Sequence, residues 1–226
     1  SQYDGLDFLT DITLGIVDAG FDKRHEDLQR IAVLSGEDSA HDHGTHVAGI
    51  MAATANNRRG IAGIMYNNVS LRVYDAQKSN SNTMSDSQIM QGLAETVEAG
   101  AKVVNFSLGM SSCVSGTSLG ERIIKSEGKQ ASRAMGKLLE KGFDFIVVQS
   151  AGHGNDQGIG IDFQNNGTFC SIDAGNCYSS SRVSQSQIMD RILIASCVDD
   201  TDTLTQFSNG GNGSQLVAAP GNNIYS

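Results

Sequence analysis

Five short apolar runs stand out along the chain: Ile12 to Val17, Val69 to Val73, Lys102 to Phe106, Phe143 to Val148 and Ile192 to Val198. None alternates strictly between apolar and polar positions. Such runs predict strands covered on both faces, as in a parallel sheet. Helical spacing appears between them. In DSQIMQGLAETVEAG, Ile89, Leu93 and Val97 recur every fourth residue, and Gly100 follows as a stop. In LGERIIKSEGKQASRAMGKLLEKG, Ile123, Ile124, Met135, Leu138 and Leu139 supply a second apolar face that ends at Gly142. Alternating strands and helices predict an α/β fold: a doubly wound, mainly parallel sheet with helices on both faces. Asn155 to Ser186, rich in Gly, Asn and Ser, reads as long surface loops. No internal repeat or linker divides the 226 residues.

Composition narrows the functional classes. The net charge is −9, and no compact Lys/Arg cluster interrupts it, which argues against a nucleic-acid surface. No apolar run reaches membrane-spanning length. The opening SQYDGLDFLT lacks the basic and apolar regions of a signal peptide, so the reading is an intracellular protein or a trimmed mature form. Cys113, Cys170, Cys177 and Cys197 form no CxxC pair, which disfavours structural zinc. Cys170 and Cys177 bracket a polar loop and read equally as a small disulfide or as free thiols. Cys197 reads as a buried small residue.

Sites in parallel sheets form beyond the carboxyl ends of strands. That directs attention to Asp18, to Ser107, Leu108 and Gly109, and to Ser150 through Gly154. Asp18 closes ITLGIVD, either as a turn cap or as a working carboxylate. The stretch HDHGTHVAGI puts His41, His43 and His46 within six residues. His43 precedes a run with helical spacing, so it stands at a helix N-terminus. The positive end of a helix disfavours imidazolium and would lower its pKa, as suits a neutral base. Gly44 and Gly49 each weaken a helix by about 1 kcal/mol relative to Ala, which implies close packing against backbone. His46 reads as structural and His41 as solvent-exposed. A metal site is the rival reading. HxHxxH resembles the HxHxDH pattern of metallo-β-lactamases, but Thr45 stands where that pattern has Asp, and His153 is the one later histidine.

IVDAGFD, HDHGTHVAG, VVNFSLG and the tail TQFSNGG…LVAAPG resemble, in order, the signature blocks of subtilisin-like serine proteases. HEDL at His25 to Leu28 and GIAGI at Gly60 to Ile64 add smaller echoes. The resemblance is collinear over nearly the whole chain. It implies a protease fold spanning 1–226 as most of one catalytic domain, and it implies roles. Asp18 would orient His43 and stabilise its protonated form; His43 would be the general base. Ser107, Leu108 and Gly109 would pair with an extended polypeptide substrate. Ser150, Ala151 and Gly152 would form the opposite wall of the pocket for the side chain before the cut. Strand addition supplies affinity through backbone hydrogen bonds, so specificity falls to the pockets. The family further implies a secreted or cell-surface hydrolase, no cofactor for the chemistry, and structural calcium that the Asp/Asn-rich loops permit without specifying.

Two departures mark this chain. The family's serine lies in a GTSMAxP block shortly after APG. Here APG is Ala219 to Gly221, and no such block follows before Ser226. These 226 residues alone are therefore expected to form no acyl-enzyme, and a companion C-terminal segment carrying the nucleophile is expected. The second departure concerns the oxyanion donor, an Asn after AAG or SAG in the family. Here QSAGHGND places His153 in register, or Asn155 if two residues are inserted. Two functions follow: a serine endopeptidase with an Asp-His-Ser triad, or an inactive pseudoprotease that keeps the groove as a peptide-binding or regulatory module. A pure binding module has no need of a matched base and orienter.

Overall fold

The computed structural model describes residues 12–28, 31–35, 42–65, 69–77, 83–109, 118–172 and 177–224. They fall into two compact units divided between Asn105 and Phe106. The first carries β1 (Ile12–Asp18), β2 (Ile31–Ser35), α1 (His43–Ala52), β3 (Val69–Asp75), α2 (Asp86–Glu98) and most of β4 (Val103–Phe106). The second carries α3 (Ser118–Glu140), β5 (Ile146–Ser150), α4 (Gln185–Met189), β6 (Ile192–Val198) and β7 (Leu216–Pro220). This is the expected doubly wound, parallel α/β fold.

In the first unit β3 lies on one side of β1 and β4 on the other, with β2 outside β3, all parallel. The chain reverses its direction of growth at β1. The carboxyl end of β1 is therefore a switch point, and Asp18 is its last residue. β1 buries both faces. Leu14 and Ile16 join Val47 and Ala48 of α1, with Leu71 and Val73 of β3, in one apolar cluster. Gly15 and Val17 face α2: a Cβ on Gly15 would stand 3.1 Å from Thr96 Cβ, and one on Gly92 2.8 Å from Val17. Two covered faces explain why no polar alternation marks this strand.

α2 begins in a capping box. Ser85 Oγ accepts from Gln88 N at 3.4 Å, and Ser85 N donates to Gln88 Oε1 at 3.1 Å. Its buried stripe is Ile89, Leu93 and Val97, as the spacing predicts. Gly100 ends it with φ 96°.

In the second unit β5, β6 and β7 run parallel in that order. The buried line of α3 is Ile124, Ala131, Met135 and Leu138; Ile123 and Leu139 are half-buried, because the stripe turns with the helix away from them. Gly128 completes the line, where a Cβ would meet the Ser171 carbonyl oxygen at 2.6 Å. β5 starts later than its apolar run, since Lys141 and Gly142 close α3 with a turn. β2 and β7 are strands that the apolar runs did not mark.

The Asn155 to Ser186 region is not all surface loop. Phe163–Asn166 and Thr168–Ser171 form two short 3-10 turns that bury Phe163, Phe169 and Cys170. Phe169 meets Phe106 edge to face at 4.8 Å. Apolar residues too few to show a period nonetheless reach the core here. Cys170 and Cys197 are free thiols, and no disulfide joins Cys170 to Cys177. Burial pushes the Cys170 thiol up to about 12. Cys197 is half-buried rather than buried: its side chain leaves the packed face and lies near Gly221. Cys113 lies outside the described residues.

Candidate active site

Asp18 and His43 meet. β1 delivers the carboxylate, 1 % exposed, to the switch point. The turn Ala19-Gly20-Phe21 then receives the N-terminus of α1. Gly44 N donates to Ala19 O at 2.8 Å and Thr45 N to Gly20 O at 3.1 Å. The helix's first amides are thus satisfied by the β1 turn, while the Asp42 side chain makes no cap. Thr45 Oγ1 accepts from Asp22 N at 2.8 Å and closes the clamp. A Cβ on Gly44 would stand 2.7 Å from both Gly20 O and the Phe21 ring. This is the close backbone approach that a glycine early in the helix implies.

Inside this clamp His43 Nδ1 lies 2.6 Å from Asp18 Oδ1, which also accepts from Ala19 N at 2.7 Å. A carboxylate on Nδ1 keeps the proton there and leaves Nε2 as the acceptor. The His43 side chain is half-exposed. Asp18 Oδ2 is buried without a partner among the described residues.

The His43 pKa is raised, against the expectation from the helix terminus. The hydrogen bond to Asp18 dominates; burial opposes it, and the Asp18 and Asp42 charges add to it. A partial charge at a helix end is weaker than a full carboxylate in contact. Stability from this pair is complete below the unfolded-state value and is lost as pH rises through the raised folded value. A histidine that serves as a general base must be neutral, so for that role the sign is opposite. The acid limb of kcat/KM is expected above the ordinary imidazole value of about 6.5. A wild-type limb at or below that value in a pH–rate profile would contradict the assignment.

The other histidines separate by position. His46 is half-buried one turn further along α1, consistent with a structural side chain. His41 lies outside the described residues. His25 Nδ1 accepts from Asp27 N at 3.3 Å. Asp27 of HEDL is buried and accepts from Asn57 Nδ2 at 2.5 Å and Ile61 N at 3.0 Å. The GIAGI segment also closes α1: Gly63 N donates to Ala53 O, and Ile64 N and Met65 N reach the Ile50 and Met51 carbonyls. These two small motifs brace the helix that carries His43.

In the second unit Ser107, Leu108 and Gly109 follow β4, and Ala151 and Gly152 follow β5. Gln149, fully buried on β5, ties the first segment to the interior. Its Nε2 donates to Leu108 O at 3.1 Å, while its Oε1 accepts from Phe169 N and Cys170 N. Asn209 of FSNGG performs the same task for the second segment. Its Nδ2 donates to Ala151 O at 2.8 Å, and its Oδ1 accepts from Gly154 N and Ile161 N. Single-residue reading missed both side chains. Asn209 had a signal, the quoted tail motif; Gln149 had none, being one polar residue inside an apolar strand.

The oxyanion candidates differ in their surroundings. Asn155 Oδ1 accepts from Gln157 N at 3.0 Å and Ile159 N at 3.1 Å, and Asn155 N donates to Ile159 O. Asn155 therefore closes its own loop. His153 is exposed.

At the switch point of a parallel α/β sheet, a buried carboxylate thus orients a half-exposed histidine through Nδ1. The chain belongs to the Subtilase family, whose profile matches residues 10–226. A thermophilic serine proteinase of Bacillus sp. (strain AK1) is 30% identical over 236 residues, covering 97% of this chain and 48% of that protein. Subtilisin DY of Bacillus licheniformis is 26% identical over 221 residues, covering 95% and 66%. Among solved structures, the patellamide maturation protease PatA matches with a TM-score of 0.64 at 21% identity, over 94% of this chain and 66% of that one. The prenylagaramide maturation protease PagA matches with a TM-score of 0.64 at 18% identity, over 96% and 65%. At those identities the structures speak for the fold alone. This chain spans about half the length of the first relative named.

Proposed function

We propose that this protein is a serine endopeptidase that hydrolyses peptide bonds through an Asp18-His43-Ser triad. The 2.6 Å contact between His43 Nδ1 and Asp18 Oδ1 carries the reading. In it, His43 Nε2 takes the proton of the serine hydroxyl as the oxygen attacks the scissile carbonyl. The carbonyl π electrons move onto oxygen to give the oxyanion. When the C–N bond breaks, Nε2–H returns the proton to the departing amine. Asp18 stays ionised and balances the imidazolium. A positioned base of this kind contributes roughly 10²–10⁴-fold.

Ser107 to Gly109 and Ser150 to Gly152 bind the polypeptide as opposite walls. For the oxyanion donor, His153 in register would offer a ring N–H where the family uses an amide, and Asn155, whose Oδ1 is held by Gln157 N and Ile159 N, would offer its Nδ2. Structural calcium and secretion remain part of the proposal. Secretion draws on similarity to a relative described as a halolysin-like extracellular serine protease, 27% identical over 225 residues. No helix among the described residues is long and apolar enough to cross a membrane.

A fluorophosphonate probe tests the reading on the full-length gene product. Covalent labelling that His43→Ala abolishes is expected. A folded full-length protein that resists labelling would instead be the pseudoprotease.

A further inference from the structure

The two segments assigned to the pocket walls are separated by a side chain belonging to neither. Asn166 ends the first 3-10 turn and is buried. Its Nδ2 donates to Ser150 O at 2.9 Å. A Cβ built on Gly109 would stand 2.6 Å from Asn166 Cγ, and one built on Gly152 2.7 Å from the same atom. The amide therefore lies against both glycine Cα atoms and bridges the space between the walls. Any side chain larger than hydrogen at either glycine would collide with it.

The amide is held from behind as well. Cys170 Sγ lies 3.8 Å from Nδ2, and Sγ itself donates to Ser150 O at 3.5 Å. The turn that carries Asn166 is fixed by Phe163 N donating to Gly210 O at 2.9 Å and by Asp162 Oδ1 accepting from Gln164 N. Moving the amide aside would break its bond to Ser150 and disturb a buried turn. A flexible surface side chain would yield to a bulky ligand group; this one is packed in place.

We propose that Asn166 is a specificity-determining residue. It closes the depth of the pocket between Gly109 and Gly152, so the position before the cut accepts Gly, Ala or Ser and excludes Phe, Tyr and Leu. The proposal rests on reading Ser107 to Gly109 and Ser150 to Gly152 as the substrate walls. One methylene in a snug pocket changes selectivity by about 10–200-fold, and an aromatic ring exceeds that allowance.

The test separates binding from chemistry. Fluorescent hexapeptides ending in Ala or in Phe are titrated onto the full-length protein by anisotropy, and fluorophosphonate labelling is scored separately. Wild type is expected to bind the Ala series at least tenfold more tightly. Asn166→Gly should raise affinity for the Phe series at least tenfold and collapse the ratio. Asn166→Ala serves if the glycine variant melts early. Equal binding of both series by wild type, binding of neither, or an unchanged ratio in a folded variant overturns the proposal. Failed labelling with intact Ala selectivity would refute the enzyme reading and leave the pocket assignment standing.

Discussion

On the proposed triad, Asp18→Asn is expected to lower kcat of the full-length protein by about 10⁴-fold while leaving KM nearly unchanged. The variant keeps the shape of the carboxyl group. With its oxygen in the native Oδ1 place the amide still accepts from Ala19 N, as the carboxylate does at 2.7 Å; with Nδ2 in that place this bond is lost. What changes is the partner of His43 Nδ1, which lies 2.6 Å away. If the amide presents its Nδ2 to the ring, Nδ1 must become the acceptor and the proton moves to Nε2. That nitrogen can then no longer receive the serine proton. If it presents oxygen instead, the tautomer is kept but the imidazolium formed in the transition state loses its counter-charge. Both routes act on the chemical step and neither touches the segments proposed to bind substrate. The variant should also shift the acid limb of the pH–rate profile downward, because the largest cause of the raised His43 pKa has gone. Steady-state kinetics on a peptide substrate checks the first effect. A drop below tenfold would remove Asp18 from the triad.

Gly44→Ala has the second largest expected effect, and it acts without touching a titrating group. Alanine normally strengthens a helix relative to glycine, by about 1 kcal/mol. Here the sign reverses. The new methyl would stand 2.7 Å from the Gly20 carbonyl and from the Phe21 ring. Phe21 is packed in the cluster with Leu14, Ile16 and Val47 and has little room to move. Overpacking of this kind costs about 1–3 kcal/mol. Relief comes most directly by moving α1 away from the β1 turn, which stretches the Gly44–Ala19 and Thr45–Gly20 bonds. His43 is the first residue of that helix. A displacement of 1 Å in a catalytic group costs on the order of 10²-fold. The expected result is a lower Tm together with a fall of about 10²-fold in kcat/KM. A variant as stable and as active as wild type would show that the clamp is slack.

Both results depend on how α1 is held, and the chain itself announced much of that. IVDAGFD and HDHGTHVAG carry the carboxylate, the histidine and the glycine that lets the two approach. The strands at Ile12 and Ile192 and the helix at Asp86 were legible because long apolar stretches in them share one face or are covered on both. β2 was not legible. Its five residues are only half-buried where described, so no strong apolar run marks them. Nor was the core role of the Asn155 to Ser186 region. Phe163, Phe169 and Cys170 are scattered among polar residues, and 3-10 turns of four residues have no period to detect. The helix terminus alone points the His43 pKa downward; the contacting carboxylate, 25 residues earlier in the chain, outweighs it and raises it.

The sequence by itself determined the strand–helix alternation, the order of the family blocks, and which carboxylate and histidine to look for, Asp18 and His43. These depend on local periodicity and on short motifs whose residues are contiguous. Only the tertiary structure decided that Gln149 and Asn209 brace the segments after β4 and β5, that Asn155 Oδ1 closes its own loop, and that the Asn166 amide lies between Gly109 and Gly152. Each of those outcomes joins residues far apart in the chain through a hydrogen bond or a contact. Their partners are chosen by packing, and a single polar residue in a sequence carries no mark of the carbonyl it will meet.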